Sequence, residues 1–366
     1  MTTIRILLNT PNGALHGGPA THLPMLEAAL RNSVDVHSYQ YWRRSDSETL
    51  KRKVFDRLVD LVRFWKLCRK VRPDIVHHNS AFDRVSILRD APLLIAAKLL
   101  RVPVFLKLHG SHSDALMPGF GIVSHVLRQV VIRNAARLGV LSSAEKREFE
   151  AAFPYVRGKV CVVKNIIASD FACVRRCEAD KPTILFVSRF VRKKGPFDLL
   201  HAAPRVCSEI PTAQFLFVGD GQDAPAFEDE VASMGLESTV QRASHVDKHG
   251  LLPLYAKAWM VVLPTYYPEG MPMVVAEAMA AGVPIISTPT RFGRSYLTEN
   301  EHVLYHKPGD IEGIARAVLR LCRDEGLRRR MSNSNRELAL RCFMEEEVVQ
   351  EYLDLYRQML AARSQA

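Results

Sequence analysis

Short runs of consecutive apolar and β-branched residues recur along the chain at 4–9, 74–78, 104–108, 137–141, 160–163, 183–187, 214–218, 239–242, 260–263 and 283–287. Between them apolar residues return every three or four positions, the period of a helix with one buried face. Uniformly apolar strands alternating with amphipathic helices predict an α/β chain with two parallel, doubly wound sheets. A length of 366 residues and a hydrophobic content of 48% are enough for two cores. The stretch 168–182 is charged and without period, so it is read as the interdomain linker, giving domains at 1–170 and 171–345. The final stretch, 344–363, is amphipathic and helical in composition, and no repeat or low-complexity tract interrupts the chain.

The richest chemistry lies in PTYYPEGMPMVVAEAMAAGVPIIST at 264–288. Residues 261–263 read as the end of a buried strand and 264–270 as a loop. Pro272 suits the first turn of a helix over 272–282, since its missing N–H costs nothing there, and Gly282 ends it. The N–H groups of Gly270, Met271 and Met273 then lie at the positive end of that helix, which suits an anionic, hydroxyl-rich ligand. Glu269 and Glu277 bracket this start. Glu277 lies among Val274, Val275, Ala278 and Met279, on a helix with little polar surface, so its carboxylate needs a partner.

A second segment, TILFVSRFVRKKGPFDLL at 183–200, reads as strand, cationic loop and helix, the helix starting near Pro196. Arg189 and Lys194 fall where a parallel strand ends, the edge at which open α/β sheets bind ligands. A guanidinium fork and a mobile ammonium suit a diphosphate, whereas Arg192 and Lys193 read as solvated charge. Other landmarks are the Gly17-Gly18 turn before a helix over 20–30, His109 after the strand 104–108, Asn165 after the strand near 161, and the Gly-Asp-Gly turn at Gly219.

Taken in order, these motifs resemble those of glycosyltransferase family four, the group 1, retaining enzymes of the GT-B fold that use nucleotide-sugar donors. The resemblance implies that Glu269 accepts hydrogen bonds from donor-sugar hydroxyls and Glu277 from the ribose. It implies that Arg189 and Lys194 clasp the diphosphate and that His109 lies next to the donor sugar. Gly17, Gly18, Gly219, Gly270, Met271 and Met273 would line the donor site, and the terminal helix, 346–366, would return to the N-terminal, acceptor-binding domain. No Asp-x-Asp motif occurs, so leaving-group charge falls to Arg189, Lys194 and the helix start, and neither metal nor cofactor is expected. Two departures stand out. Ser188 replaces a usual glycine, and Arg291, Arg294 and Tyr296 stand where many members carry a glycine-rich turn.

Charge refines the picture. Residues 1–170 carry 26 Lys+Arg against 14 Asp+Glu, while 171–366 carry 24 against 25. The excess concentrates in 43–72, with eleven basic residues against four acids and Val54, Leu58, Leu61, Trp65 and Cys68 at helical spacing. An apolar stripe docked on the sheet with basic flanks facing an anionic membrane fits that pattern. Nucleic acid is the competing partner for a basic half, and no nucleic-acid-binding signature accompanies the charge. Seven scattered cysteines show no zinc spacing and suit a reducing cytosol, and no apolar run reaches the roughly 18 residues of a membrane span. The expectation is a cytoplasmic hexosyltransferase, at the inner face of the membrane, acting on a lipid-linked glycan in polysaccharide biosynthesis. A nucleotide-sugar-binding subunit without turnover and a GT-B sugar-nucleotide epimerase are the alternatives. A glycosidase pair is disfavoured because eight helical steps would hold Glu269 and Glu277 roughly 12 Å apart.

Overall fold

The computed structural model describes residues 3–10, 18–41, 50–110 and 122–364. These form two compact units, one of 1–166 with 345–366 and one of 167–344. Each is built on a six-stranded, all-parallel sheet, as the apolar runs require.

In the first unit the strands are β1 (Arg5–Asn9), β2 (Asp35–Tyr39), β3 (Ile75–Ser80), β4 (Val104–Leu108), β5 (Arg137–Val140) and β6 (Val160–Val162), in the order β2-β1-β3-β4-β5-β6. The order reverses between β1 and β3. One face is covered by α2 (Leu50–Val71), α3 (Arg84–Leu99) and α4 (Ile122–Asn134), whose Phe64, Cys68, Leu94 and Val131 meet Val76 and Leu106 of the sheet. The other face is covered by α1 (Gly18–Leu30) and by the terminal helix Glu345–Ser364, whose Tyr352 and Tyr356 pack on Phe105. Helix α5 (Ser143–Ala152), capped by the Ser142 hydroxyl accepting from Glu145 N–H, leads into β6.

The apolar stripe expected along α2 is rotated. Phe64, Cys68 and Val71 are buried, whereas Leu58 is 60% exposed. The Phe64 ring packs tilted, 5.3 Å from that of Tyr39 of β2, a strand the apolar-run reading missed, and Asp56 and Asp60 lie on the inward side. The Arg57 guanidinium answers Asp60 at 3.0 Å.

In the second unit the strands are β7 (Thr183–Val187), β8 (Gln214–Val218), β9 (Val240–Ala243), β10 (Met260–Leu263), β11 (Ile285–Ser287) and β12 (Val303–Tyr305). Their order is β12-β11-β10-β7-β8-β9, the dinucleotide-fold order with its reversal between β7 and β10. The helices are α6 (Ser169–Ala172), α7 (Pro196–Glu209), α8 (Ala224–Ser233), α9 (Lys248–Lys257), α10 (Met273–Ala280), α11 (Arg291–Tyr296), α12 (Ile311–Arg323) and α13 (Glu325–Cys342), followed by α14 (Glu345–Ser364) of the first unit. Segment 168–182 runs within this unit, with Cys177 and Ala179 N–H donating to the carbonyls of Ala256 and Lys257. No described helix is long and apolar enough to cross a membrane.

Candidate functional site

The reversal point of the second sheet brings the two richest motifs together. Strands β7 and β10 are paired neighbours, with Val261 opposite Leu185, so the loops after them emerge side by side at the carboxyl edge. Glycine shapes that edge. Gly219 follows β8 with φ +138°, and a Cβ there would overlap the Ser188 carbonyl oxygen, so only glycine lets the two loops close. Phe190 N–H then donates to Asp220 O, and Asp223 N–H to Phe190 O, zipping 188–192 to 219–223. Gly195, at φ +79°, ends a 3-10 turn over Arg192–Lys194 and lies against the Pro264 carbonyl, where any side chain would collide. Lys194 is thereby held against the loop after β10.

There Lys194 Nζ donates to Glu269 Oε1 at 2.5 Å, both side chains being more than four-fifths covered. The Thr265 hydroxyl donates to the same carboxylate oxygen at 3.3 Å, and the Tyr267 ring lies under the ammonium. The carbonyls of Pro268 and Glu269 accept from Arg291 and Phe292 N–H at 3.2 and 3.1 Å. Those donors are the first N–H groups of α11, capped by the Thr290 hydroxyl. The atypical segment at 290–296 therefore braces the Glu269 loop. Arg291 is itself buried, and Tyr296 packs on Phe292 and Phe343.

Helix α10 starts at Met273, with Pro272 at the N-cap position, one residue later than its sequence suggests. The Pro272 carbonyl accepts from Val275 and Ala276 N–H, which makes it the last residue outside the helix. Gly270 and Met271 are buried ahead of it and Met273 is half-buried. On its inner face Glu277 is 7% exposed and accepts the Tyr255 hydroxyl at 3.1 Å. Burial pushes the Glu277 carboxyl up to about 7, the Tyr255 bond pulling weakly the other way. The carboxylate thus has the partner its setting demands, supplied from α9. Arg189 is exposed at the end of β7.

His109 lies in the first unit, as does Gly18, the first residue of α1; Gly17 lies outside the described residues. His109 follows β4, and its Nε2 is 2.7 Å from Asn79 Oδ1, while Asn79 Nδ2 donates to the Asn9 carbonyl at 2.8 Å. These three come from the carboxyl ends of β4, β3 and β1. The ring of His22 of α1 lies 5.9 Å from that of His109, tilted against it. Beneath them Lys107 is fully buried, donating to the Lys164 carbonyl at 2.9 Å and to the Tyr352 hydroxyl. Burial, and then Lys107, hold His22 and His109 well below the usual imidazole range. Sequence reading missed Tyr255, Thr265, Asn79 and His22. Thr265 sat inside the 264–270 loop, beside the strand end, whereas Tyr255 and His22 carry no local signal.

Comparison with known proteins accounts for both halves. The profile of the glycosyl transferase 4-like domain matches residues 14–165 and that of glycosyl transferases group 1 matches 175–338. The chain belongs to the family-four, group 1 glycosyltransferases. Among curated relatives of this group 1 chain is the lipopolysaccharide core biosynthesis glycosyltransferase LpsE of Rhizobium meliloti (strain 1021). It is 28% identical over 177 residues, 48% of this chain and 50% of that protein. The glycogen synthase of Mycobacterium tuberculosis (strain ATCC 25618 / H37Rv) is 25% identical over 276 residues, 74% of this chain and 65% of the relative. The chain thus spans about half to two thirds of these relatives' length. A solved glycosyltransferase from Rickettsia africae ESF-5 superposes with TM-score 0.81 at 15% identity, covering 98% of this chain and 99% of that one. HepE of Anabaena, solved in complex with UDP and glucose, gives TM-score 0.75 at 17% identity, covering 97% and 100%. At these identities the two structures speak for the GT-B fold.

Proposed function

We propose that this group 1 chain is a metal-independent, retaining glycosyltransferase that moves a hexose-type sugar from a nucleotide-sugar donor to a hydroxyl of a glycan acceptor. The observation that carries the reading is the Lys194–Glu269 pair beside the start of α10 at the reversal point of the second sheet. Lysine and the exposed Arg189 supply cations for a departing diphosphate. Glu269 accepts hydroxyls of the transferred sugar, and Glu277 accepts those of the ribose. Charge on the leaving group is met by these side chains and the helix start, so the protein acts by positioning and electrostatic stabilisation. The leaving phosphate takes the acceptor's proton on the face it departs from, which retains the anomeric configuration. The resemblance to LpsE and the crystallised UDP complex of HepE support a nucleotide-sugar donor and an acceptor in polysaccharide assembly.

The acceptor is a lipid-linked glycan reached at the inner face of the cytoplasmic membrane, through a surface of the first unit. Helix α2 exposes Arg63, Lys66, Arg69 and Lys70, while its two acids are buried. Beside it α3 turns out Val85, Leu88 and Leu99, each more than 60% exposed and spaced along one face. Apolar side chains ringed by cations fit an anionic interface, each cation near the surface contributing about 1 kcal/mol. The test is a thermal-shift panel of UDP-, GDP- and ADP-sugars with and without a chelator, run beside Arg189→Ala and Glu277→Ala. One nucleotide class should stabilise the wild type alone, irrespective of chelator. Lack of any shift would refute the donor reading.

A further inference from the structure

The charged segment 168–182 wraps the residues that hold Glu277. Phe171 of α6 meets the Tyr255 ring edge-on, with centroids 5.6 Å apart. Arg176 Nη1 donates to the carbonyls of Tyr255 and Ala258, both at 2.6 Å, and so closes the carboxyl end of α9. The seam continues where Cys177 and Ala179 N–H donate to the carbonyls of Ala256 and Lys257, and the Trp259 indole N–H donates to the Ala179 carbonyl at 2.8 Å. From the other side Arg336 of α13 donates to the carbonyls of Ala172 and Val174 and, at 3.5 Å, to that of Ala280 at the end of α10. One segment thus fastens the end of α9, which carries Tyr255, to the end of α10, which carries Glu277.

Between these helices the buried Tyr255 hydroxyl donates to Glu277 Oε2 at 3.1 Å, with the Val274 carbonyl as a second acceptor at 3.4 Å. No other side-chain hydrogen bond reaches this carboxylate among the described residues, so Oε2 is occupied and Oε1 is free. Burial, and then Glu277, raise the hydroxyl well above the usual phenol range, so it stays a donor. The last torsion of a glutamate is broad and two-fold, so one bond to one oxygen decides the plane of the carboxylate. We propose that Tyr255 is the positioning residue of the Glu277 carboxylate, fixing its plane through Oε2 so that Oε1 alone is offered to a ligand hydroxyl, and that Phe171 and Arg176 hold Tyr255 in place. The inference rests on the reading of Glu277 as the acceptor of ribose hydroxyls. The segment between the motifs then belongs to the donor site, acting through Tyr255 rather than by touching the nucleotide.

The test is carboxyl 13C NMR of the full chain with 13C-labelled glutamate from pH 5 to 9, the Glu277 signal being assigned by its absence in Glu277→Gln. Tyr255→Phe keeps the ring against Phe171 and removes only the hydroxyl, whereas Arg176→Met frees the end of α9. The Tyr255 bond favours the ionised carboxyl, so both variants should move the Glu277 midpoint upward from about 7. For Tyr255→Phe the move should be about one unit. Calorimetry at pH 9 with UDP-glucose, GDP-mannose and ADP-glucose reads the positioning itself. The nucleotide sugar that binds the wild type should bind Tyr255→Phe about tenfold more weakly. A Tyr255→Phe protein with a lower Tm at every pH but an unmoved midpoint and unchanged affinity has lost only packing, which overturns the proposal. A moved midpoint with unchanged affinity, in a protein whose binding is lost in Glu277→Ala, overturns it too while leaving the donor reading intact. If Tyr255→Phe moves the midpoint and Arg176→Met does not, the part assigned to the segment falls. If Glu277→Ala binds as the wild type does, or no nucleotide sugar binds, the ribose reading fails, and the midpoints alone decide whether Tyr255 holds the carboxylate.

Discussion

Replacing Glu277 by glutamine should make the protein more stable at pH 8 while abolishing its response to donor. The carboxyl is raised from 4.5 to about 7 by burial, and each unit is worth about 1.4 kcal/mol, so keeping it ionised costs about 3 kcal/mol. A raised carboxyl means that the folded chain binds more protons than the unfolded chain between pH 4.5 and 7. Stability from this group is therefore complete below about 4.5 and is lost as pH rises through 7. Glutamine does not titrate and can still accept the Tyr255 hydroxyl. The variant and wild type should differ by less than about 1 kcal/mol near pH 5 and by up to about 3 kcal/mol at pH 8. For a unit of this size that is roughly 6–12 °C in Tm. Differential scanning fluorimetry from pH 5 to 9, with and without the donor that stabilises the wild type, reads both effects. By the proposed mechanism ribose hydroxyls donate to the ionised form, so wild-type donor affinity should rise between pH 6 and 8. A stability difference independent of pH, or a variant still protected by donor, would refute the assignment of Glu277 as a costly carboxylate kept for a ligand.

Gly219→Ala forces a side chain to φ +138° against the Ser188 carbonyl, and urea denaturation should show a loss of about 2–3 kcal/mol; a loss under 1 kcal/mol would mean that the two loops separate without cost. Lys194→Met removes the cation from Glu269 and, by the proposed mechanism, from the diphosphate. In steady-state kinetics kcat/KM should fall by roughly 10²–10³, and an unchanged value would remove Lys194 from the chemistry. Leu88→Glu on the outer face of α3 should alter stability by less than about 0.5 kcal/mol yet abolish co-sedimentation with anionic vesicles at low salt. Equal sedimentation of wild type and variant would exclude that face as the contact.

The fold was legible wherever apolar runs were long and uniform. Ile184–Phe186 and Val261–Leu263 are fully buried central strands and could hardly be anything else. Strand β2 was not, because DVHSY buries only Val36 and Tyr39 at a sheet edge, and β12 has only three residues. The rotation of α2 was hidden for a related reason. A helical wheel weighs Leu58 and Phe64 alike, but the sheet offered a ring partner, Tyr39, to the phenylalanine. In the candidate site, motif spacing placed Lys194 and Glu269 in neighbouring loops without revealing that they pair. That contact depends on Gly195 pressing against Pro264, a tertiary fact. The departure at 290–296 showed in the sequence only as a missing glycine-rich turn, and that its backbone N–H groups hold the Glu269 loop from behind is again a tertiary fact.

The first unit is assembled from both ends of the described chain, since Val348, Tyr352, Tyr356 and Met359 of α14 share a core with Ile6, Leu8 and Phe105. On the ribosome that core cannot close until the whole of 167–344 has been made. At 5–20 residues per second this is a delay of roughly 10–40 s. During that interval the second unit, encoded later, should complete first, while one face of the first sheet and Lys107 still lack the terminal helix. An arrested nascent chain ending near 344 should therefore show a protease-resistant second unit and a sensitive first one. That outcome would mean that order of synthesis and order of folding are inverted in this molecule.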